Sequence, residues 1–415
     1  MLRAAFMAKP EWITNQTPAE LGYSMPAEWE PHEATWLGWP HNASDWPDKL
    51  DTIRWVYGEM VRKISPGEWV RILVRHEAER KLASDYLKRA GCDLKRLQFV
   101  TQPTDRGWTR DSGPIFVRRQ LPSPLTPLPS DGRGEKQRAR VGKSRSVRNA
   151  DRLTRILPLP GGEGWGEGEH AHTETAIVHF HFNAWAKYPD WRKDTRVPET
   201  AARLLDKPIF DARINNRPFI LEGGGIEVNG RGTLLTTEEC YLHPKIQVRN
   251  PGLIRAQYEE QFQKYLGVRN VLWLGNGPVG DDTHGHIDDI ARFVNPRTLV
   301  LIRESNPRDV NYRALEENWE RVSGLRLEDG TKPEVVPLPM PAPIHYGRWR
   351  LPASYANFYI ANACVIVPTF NDANDRVALG TLGELFTDRP VVGIHAVDLV
   401  LGFGALHCLT QQQPA

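Results

Sequence analysis

Short β-rich runs alternate with amphipathic stretches along most of this 415-residue chain. The β-rich runs are WVRILV (69–74), GPIFV (113–117), TAIVHFHF (175–182), GTLLTT (232–237), NVLWL (270–274), TLVLI (298–302), FYIANACVIVP (358–368) and PVVGIH (390–395). Apolar residues at i, i+3 and i+4 spacing, which is typical of helices, occur at 76–91, 198–207, 255–267 and 310–324. The alternation predicts an α/β fold. No internal repeat is evident from the sequence alone.

Residues 121–172 depart from this pattern. They are rich in Pro, Gly, Ser and Arg, lack apolar periodicity and carry nine basic residues between positions 133 and 155. A segment of this kind buries too little apolar surface to offset its conformational entropy, so we predict that it is disordered. A single domain over residues 1–415 with a surface insertion at 121–172 is favoured over a basic arm for nucleic acid or an acidic partner.

Composition excludes several classes of protein. Lys and Arg number 53 against 51 Asp and Glu, so the net charge of +2 indicates neither a nucleic acid nor a membrane partner. The four cysteines include no CxxC pair, which argues against a disulfide framework or a zinc ribbon. The N-terminus lacks the apolar core of a signal peptide, and no stretch approaches the ~20 apolar residues that span a bilayer. We therefore predict a cytoplasmic location.

Four segments combine glycine or proline with chemically active side chains. They are WTRDSGP (108–114), ILEGGGIEVNG (220–230), DDTHGHIDD (281–289) and GFGALHCLTQQQPA (402–415). Polar residues on Gly-rich loops that follow β-rich runs are typical of active sites on a rigid scaffold. GGGIEVNG lacks the spacing and the lysine of a nucleotide-binding loop, so a nucleotide cofactor is not indicated.

Cys408 is the cysteine most suited to chemistry. It lies in a loop rich in Gly, Thr and Gln after the last β-rich run, where glycines allow a small substrate to approach. Cys364 lies within an apolar run, and Cys92 and Cys240 also have the character of structural residues, because a lone cysteine is usually a small buried hydrophobe. The context of Cys408 alone leaves a nucleophile and a structural residue both open.

His286 and Asp288 are spaced so that both side chains lie on one face of an extended segment. His284 lies on the same face, which gives the pattern H-x-H-x-D. Two histidines and an aspartate can bind a divalent metal, so a metal-dependent hydrolase is an alternative. Two further histidine pairs, His179 with His181 and His170 with His172, keep that alternative open, although the second borders the 121–172 segment. Asp111, in RDSGP, and Glu222, before three glycines, could instead be a turn cap and a surface carboxylate.

Taken together, these segments resemble the agmatine deiminase and bacterial-type peptidylarginine deiminase family of the guanidine-modifying enzyme superfamily. MPAEWEPHEATWLGWP (25–40), FNAWAKYPDW (182–191), GTLLTTEEC (232–240) and RNPG (249–252) are similar to further motifs of that family. The similarity runs from about Met25 to Ala415 and is interrupted only at 121–172. The resemblance implies a pentein fold, an α/β-propeller of five ββαβ units around a pseudo-fivefold axis, with the active site in the central channel.

The resemblance also implies residue roles. Cys408 corresponds to the nucleophile and His286 to the general acid and base, whereas Asp111 and Asp288 correspond to the guanidinium-binding aspartates and Glu222 to a supporting glutamate. Two further positions correspond to the substrate pocket: Trp108, and Asp282, where agmatine-specific members tend to carry Glu. The chain departs from the family at Phe403, Ala405 and Ala186, the last replacing a common Gly, and these departures bear on specificity.

The implied reaction is hydrolytic deimination of a guanidinium through a covalent thiouronium on cysteine. Agmatine is the favoured substrate, giving N-carbamoylputrescine and ammonia for putrescine biosynthesis, and free or peptidyl arginine is the alternative. The mechanism requires no metal and no cofactor, and its partner is a small guanidinium compound. The sequence leaves a homo-oligomer open.

Deleting residues 121–172 is expected to leave deiminase activity unchanged, because a long surface loop adds little to the cost of closing the chain. The measurement is the rate of ammonia release by the deletion variant and the full chain, with circular dichroism to check folding. A folded but inactive deletion variant would show that the segment has a role.

Overall fold

A computed structural model of the chain describes residues 9–121 and 173–415. The described residues up to Arg119 and from Thr175 onward belong to one compact unit. The insertion predicted at 121–172 lies outside the described residues, apart from Leu121. In the part of the chain that the structure covers, no helix is both long enough and apolar enough to cross a membrane.

Most strands belong to five small sheets, and each sheet repeats one strand arrangement. The strands are β1 (Trp12–Ile13), β2 (His32–Gly38), β3 (Trp69–Val74), β4 (Leu97–Thr101), β5 (Ile115–Gln120), β6 (Thr173–His179), β7 (Ile209–Asp211), β8 (Arg213–Ile214), β9 (Arg217–Pro218), β10 (Glu227–Val228), β11 (Thr233–Thr237), β12 (Asn270–Leu274), β13 (Ala291–Phe293), β14 (Thr298–Arg303), β15 (Glu334–Pro339), β16 (His345–Tyr346), β17 (Trp349–Arg350), β18 (Tyr359–Ile360), β19 (Val365–Thr369), β20 (Val391–His395) and β21 (Thr410–Pro414).

The five sheets have the orders β21-β2-β3-β4, β5-β6-β7-β1, β10-β11-β12, β13-β14-β15 and β18-β19-β20. In the last three, the first strand runs antiparallel to the second and the second runs parallel to the third. The first sheet repeats this pattern with β21 antiparallel to β2 and β2 parallel to β3. The predicted pentein α/β-propeller is therefore confirmed. Strands β8 with β9 and β16 with β17 form two separate hairpins.

Helices connect the parallel strand pairs, which a tight turn cannot join. The α-helices of the described residues are α1 (Leu50–Ile64), α2 (Glu77–Arg89), α3 (Thr109–Ser112), α4 (Val197–Leu205), α5 (Glu238–Leu242), α6 (Arg255–Leu266), α7 (Tyr312–Gly324) and α8 (Asn374–Leu385). Helices α1, α4, α6, α7 and α8 each follow the second strand of a sheet and lead to the third. All four predicted helical stretches are helical, as α2, α4, α6 and α7.

Central strands are apolar because both of their faces are covered. In β3 every residue after Trp69 is buried, and in β14 every residue before Arg303 is buried. The run at 358–368 differs from its sequence interpretation, since it forms two antiparallel strands, β18 and β19, and not one strand. The last strand, β21, pairs with β2 near the start of the described chain, and this pairing brings the Cys408 loop to the centre of the fold.

Candidate active site

Each of the five sheets contributes one side chain to a common site. Asp111, Glu222, Asp288, Asn357 and Cys408 lie a few residues before β5, β10, β13, β18 and β21, each an edge strand of one of the five sheets. Equivalent strands of a propeller start close to its axis, so residues scattered over nearly 300 positions come together. All five are buried.

The Cys408 sulfur lies among amide and carboxylate groups. Asn357 Nδ2 is 3.0 Å from Cys408 Sγ, and Asp288 Oδ2 is 3.6 Å from it. Burial, together with the negative charges of Asp288, Asp289 and Asp111, raises the pKa of the Cys408 thiol well above its ordinary value. The thiol is therefore neutral near pH 7 in the unliganded protein, and a cation bound among these carboxylates would favour the thiolate.

The His286 ring lies between two carboxylates without a hydrogen bond to either. Its Nδ1 is 3.7 Å from Asp111 Oδ1, and its Nε2 is 3.8 Å from Glu222 Oε2. Burial alone would lower the pKa of His286, but the charge of Asp111, with Cys240 and Glu222, raises it well above its ordinary value. His286 is thus an imidazolium at neutral pH and can donate a proton.

Two carboxylate oxygens of the site have no hydrogen-bond donor among the described residues. They are Glu222 Oε2 and Asp288 Oδ1, and both are buried. Asp111 is held differently, because Trp185 Nε1 donates to its Oδ2 at 2.9 Å and the Gly224 amide to its Oδ1 at 3.1 Å. Unpaired buried acceptors are costly. A planar guanidinium, with five N–H donors, is a ligand that would satisfy them.

Gly224 has no room for a side chain. A Cβ at this position would lie 2.6 Å from His286 Nδ1, 2.8 Å from Asp111 Oδ1 and 3.1 Å from Asp288 Oδ2. The backbone of the Gly-rich segment therefore packs directly against three candidate catalytic side chains. This close approach explains why a glycine is needed here.

Buried ion pairs and loop hydrogen bonds position Glu222 and His286. Arg249 Nε donates to Glu222 Oε1 at 3.2 Å, and both side chains are fully buried. Asp281 Oδ2 accepts from the backbone amides of Gly285 at 2.7 Å and His286 at 3.1 Å. These contacts fix one oxygen of Glu222 and leave the other facing the site.

A second histidine, His407, contacts the Asp288 carboxylate and fixes its orientation. Its Nδ1 is 2.7 Å from Asp288 Oδ2, and its Nε2 is 2.8 Å from Glu28 Oε2. Burial and the charges of Arg110 and Arg292 lower the pKa of His407, although Glu28 and Asp288 act in the opposite direction. Arg110 and Arg292 also donate to Glu28, at 2.9 and 2.8 Å. This buried network orients the aspartate that contacts the Cys408 sulfur.

The sequence interpretation missed Asn357, His407 and Glu28 as site residues. His407 adjoins Cys408, but its partner Glu28 is 379 residues away in the sequence. Asn357 directly precedes the β-rich run at 358–368, much as Asp111 precedes the run at 113–117, and this shared position is the signal that could have identified it. The seven predicted site residues, by contrast, all lie at the site or along its cavity.

A cavity of about 150 Å³ leads to Cys408 and Asp111. Its walls include aromatic rings and charged side chains, namely Trp108, Trp185, Tyr188, Phe403, Asp45, Arg106 and Asp282. Trp108 packs on Trp46 with ring centroids 5.1 Å apart. Phe403, one of the departures from the family, adopts a left-handed backbone with φ of +64° and lines the cavity.

His284, His286 and Asp288, which the sequence suggested as metal ligands, do not come together in the structure. The His284 Nδ1 lies 3.2 Å from the Glu239 carbonyl, and its ring packs on His243, away from Asp288. Within residues 9–121 and 173–415, the groups with ligand atoms inside 4.8 Å of one another are His179, His181 and Asp211, and Glu222, Cys240 and His286. The second group overlaps the candidate active site.

A family model described as Porphyromonas-type peptidyl-arginine deiminase matches residues 24–414. The chain is 31% identical over 422 residues to an agmatine deiminase of Stutzerimonas stutzeri, covering 96% of this chain and 97% of that protein. It is 32% identical over 428 residues to an agmatine deiminase of Medicago truncatula, with 96% and 98% covered. The structure of the Enterococcus faecalis agmatine deiminase is similar with a TM-score of 0.77 at 26% identity, covering 97% of this chain and 99% of that one.

A five-sheet propeller with a cysteine, a histidine and carboxylates at its centre defines a guanidine-modifying enzyme of the pentein fold. Within that class, the chain belongs to the Porphyromonas-type peptidyl-arginine deiminase family, as the match over nearly its whole length shows.

Proposed function

We propose that the chain hydrolyses agmatine to N-carbamoylputrescine and ammonia, with Cys408 as the nucleophile. The observation that carries the proposal is the pair of unpaired, buried carboxylate oxygens, Glu222 Oε2 and Asp288 Oδ1, in a site where the other oxygen of Asp288 lies 3.6 Å from the Cys408 sulfur. They provide the place for a planar cation with its central carbon next to the thiol. The similarity to agmatine deiminases from a bacterium and a plant supports agmatine as the substrate.

Substrate binding would activate the nucleophile. The guanidinium offsets the negative charge of Asp111 and Asp288, so the Cys408 thiol loses its proton to solvent through the cavity. The thiolate then attacks the guanidinium carbon. In the tetrahedral adduct, the His286 imidazolium protonates the departing amino group, the C–N bond breaks, and ammonia leaves a thiouronium on Cys408.

Hydrolysis of the intermediate would use the same groups in reverse roles. Neutral His286 accepts a proton from water, and the hydroxide adds to the thiouronium carbon. The C–S bond then breaks while the sulfur takes the hydroxyl proton, which restores the Cys408 thiol and releases the ureido product. After the thiol has lost its proton to solvent, His286 and Cys408 perform the remaining proton transfers. A place in putrescine biosynthesis and a cytoplasmic location follow from this reaction as predictions.

The direct test is ammonia release from agmatine, free arginine and a blocked arginine peptide, with the products identified by mass spectrometry. We expect agmatine to be hydrolysed with the highest kcat/KM, and EDTA to leave the rate unchanged. Faster hydrolysis of arginine or of the peptide would favour the alternative substrates. Loss of activity in EDTA, together with a fully active Cys408→Ala variant, would favour a metal-dependent hydrolase. If none of the three compounds yields ammonia, the proposed function is wrong.

We expect kcat/KM to decrease toward acidic pH. Burial raises the pKa of Asp111 to about 6, and the charges of Asp288 and Glu222 act in the same direction. Above pH 6 the Asp111 carboxylate is ionised and binds the cation. Below pH 6 the Asp111 carboxyl is protonated and no longer binds it. We expect kcat/KM to fall by about tenfold per pH unit below pH 6, through a rise in KM. A profile that is flat from pH 5 to 7, in a protein that stays folded, would contradict this assignment.

A further inference from the structure

Asp282, the carboxylate expected to contact the tail of the substrate, already has two partners. Lys187 Nζ forms an ion pair with Asp282 Oδ1, and the Tyr188 hydroxyl donates to Asp282 Oδ2 at 2.8 Å. Both Tyr188 and Asp282 line the cavity that leads to Cys408. A substrate ammonium that enters this cavity therefore finds no free oxygen on Asp282.

The backbone around the pair holds Lys187 and Asp282 together. Gln247 Nε2 donates to the Trp185 carbonyl at 3.2 Å and to the Asp282 carbonyl at 3.0 Å, which ties the two segments to each other. Lys187 directly follows a turn in which three successive residues, Ala184–Ala186, all have left-handed φ angles between +50° and +58°. The lysine thus starts from a constrained turn and not from a free loop.

Two cations pair with carboxylates that line the cavity, Arg106 with Asp45 and Lys187 with Asp282, and they differ in how firmly they are bound. Arg106 pairs with both Asp45 and Asp190, and its side chain is 12% exposed. Lys187 has Asp282 as its one carboxylate partner among the ion pairs of the described residues, and its side chain is 38% exposed. Its ammonium can therefore leave Asp282, whereas the guanidinium of Arg106 stays fixed.

We infer that Lys187 is a specificity-determining residue, which neutralises Asp282 and so reduces, without reversing, the preference of the site for a cationic tail over a zwitterionic one. This inference rests on the proposed deimination and adds the recognition of the tail. A cationic tail must displace the Lys187 ammonium from Asp282. A tail that carries a carboxylate beside its amine, as an α-amino acid does, gains the lysine as a partner while its amine reaches Asp282.

The test compares three guanidines with different tails in the wild type and in a Lys187→Met variant. The compounds are agmatine, with a cationic tail, free arginine, with a zwitterionic tail, and N-butylguanidine, with an uncharged tail. We expect the variant to raise kcat/KM for agmatine roughly fivefold relative to N-butylguanidine, because one competing charge is removed. The same variant should lower kcat/KM for arginine relative to N-butylguanidine by a similar factor.

Lys193→Met is the matched control, since Lys193 is also a lysine paired with an aspartate, Asp105, and this aspartate, unlike Asp282, does not line the cavity. It should leave all three ratios unchanged. Equal changes for the three compounds in Lys187→Met would show a merely structural lysine and overturn the inference. Calorimetric Kd values in a Cys408→Ala background give the same comparison without turnover. A wild type that releases no ammonia would thus refute the proposed function while these Kd values still test Lys187.

Discussion

Replacing Cys408 with alanine is expected to lower kcat for ammonia release by about 10⁴-fold or more, while agmatine still binds. The reason is that the variant lacks the sulfur that forms the covalent intermediate but retains the carboxylates of Asp111, Glu222 and Asp288. The measurements are the steady-state rate and the calorimetric Kd. Acid-quenched wild-type protein should also show the mass of a thiouronium adduct, and the variant should not.

Cys364→Ala is the matched control for this prediction. Cys364 is likewise a buried, free cysteine, whose pKa is raised to about 11 by burial, but it lies in the hydrophobic core at the start of β19 and contacts no site residue. Replacing Cys364 should lower the free energy of unfolding and leave the rate of ammonia release unchanged. If Cys408→Ala retained wild-type activity, or if the thiouronium formed on another cysteine, the assignment of the nucleophile would be wrong.

Replacing Gly224 with alanine is expected to reduce kcat/KM by about 10³-fold, although the mutation adds a single methyl group. Its Cβ would lie 2.6 Å from His286 Nδ1 and 2.8 Å from Asp111 Oδ1, closer than real Cβ contacts allow. These side chains must shift, and displacements near 1 Å at a catalytic site can cost about 10²-fold or more. The variant should lose rate and affinity together, which steady-state kinetics will show.

Gly380→Ala makes the same chemical change where the structure has space. Gly380 lies within α8, and no atom would be within 4 Å of its new Cβ. We expect full activity and a stability gain of up to about 1 kcal/mol, because alanine favours helix over glycine. Denaturant unfolding of both variants separates a local effect at the site from a loss of folding. A fully active Gly224→Ala variant would show that the site tolerates the shift.

Much of the fold could be predicted from local patterns, but not its symmetry. The helices between parallel strands follow from apolar spacing, and all four predicted stretches are helical in the structure. The fivefold repeat entered through the family resemblance, because the equivalent strands of the sheets are short and have dissimilar residues. The run at 358–368 shows most clearly the limit of prediction from local sequence. No local pattern there distinguishes one long buried strand from the antiparallel pair β18 and β19.

Some residues of the candidate site could likewise be predicted from the sequence, and others could not. Cys408, His286, Asp111 and Asp288 stand in glycine-containing loops whose residue types suit attack on a guanidinium, so the sequence identified them as candidates. Asn357 was not identified, because an asparagine is neither a nucleophile nor an acid or base, and its position before a β-rich run was its only signal. Only the structure identifies Asn357 as a site residue, because its Nδ2 lies 3.0 Å from the Cys408 sulfur.

The sequence by itself determined the alternating α/β pattern, the family and the residue types of the reacting groups, since local spacing and chemistry suffice for each. Tertiary structure alone decided the states and partners of those groups. Burial and nearby carboxylates keep Cys408 a thiol, whereas the charge of Asp111, against the effect of burial, makes His286 an imidazolium; both shifts depend on distances between residues far apart in the chain. The Lys187–Asp282 pair likewise joins positions 95 residues apart, and such contacts arise only when the sheets close around their axis.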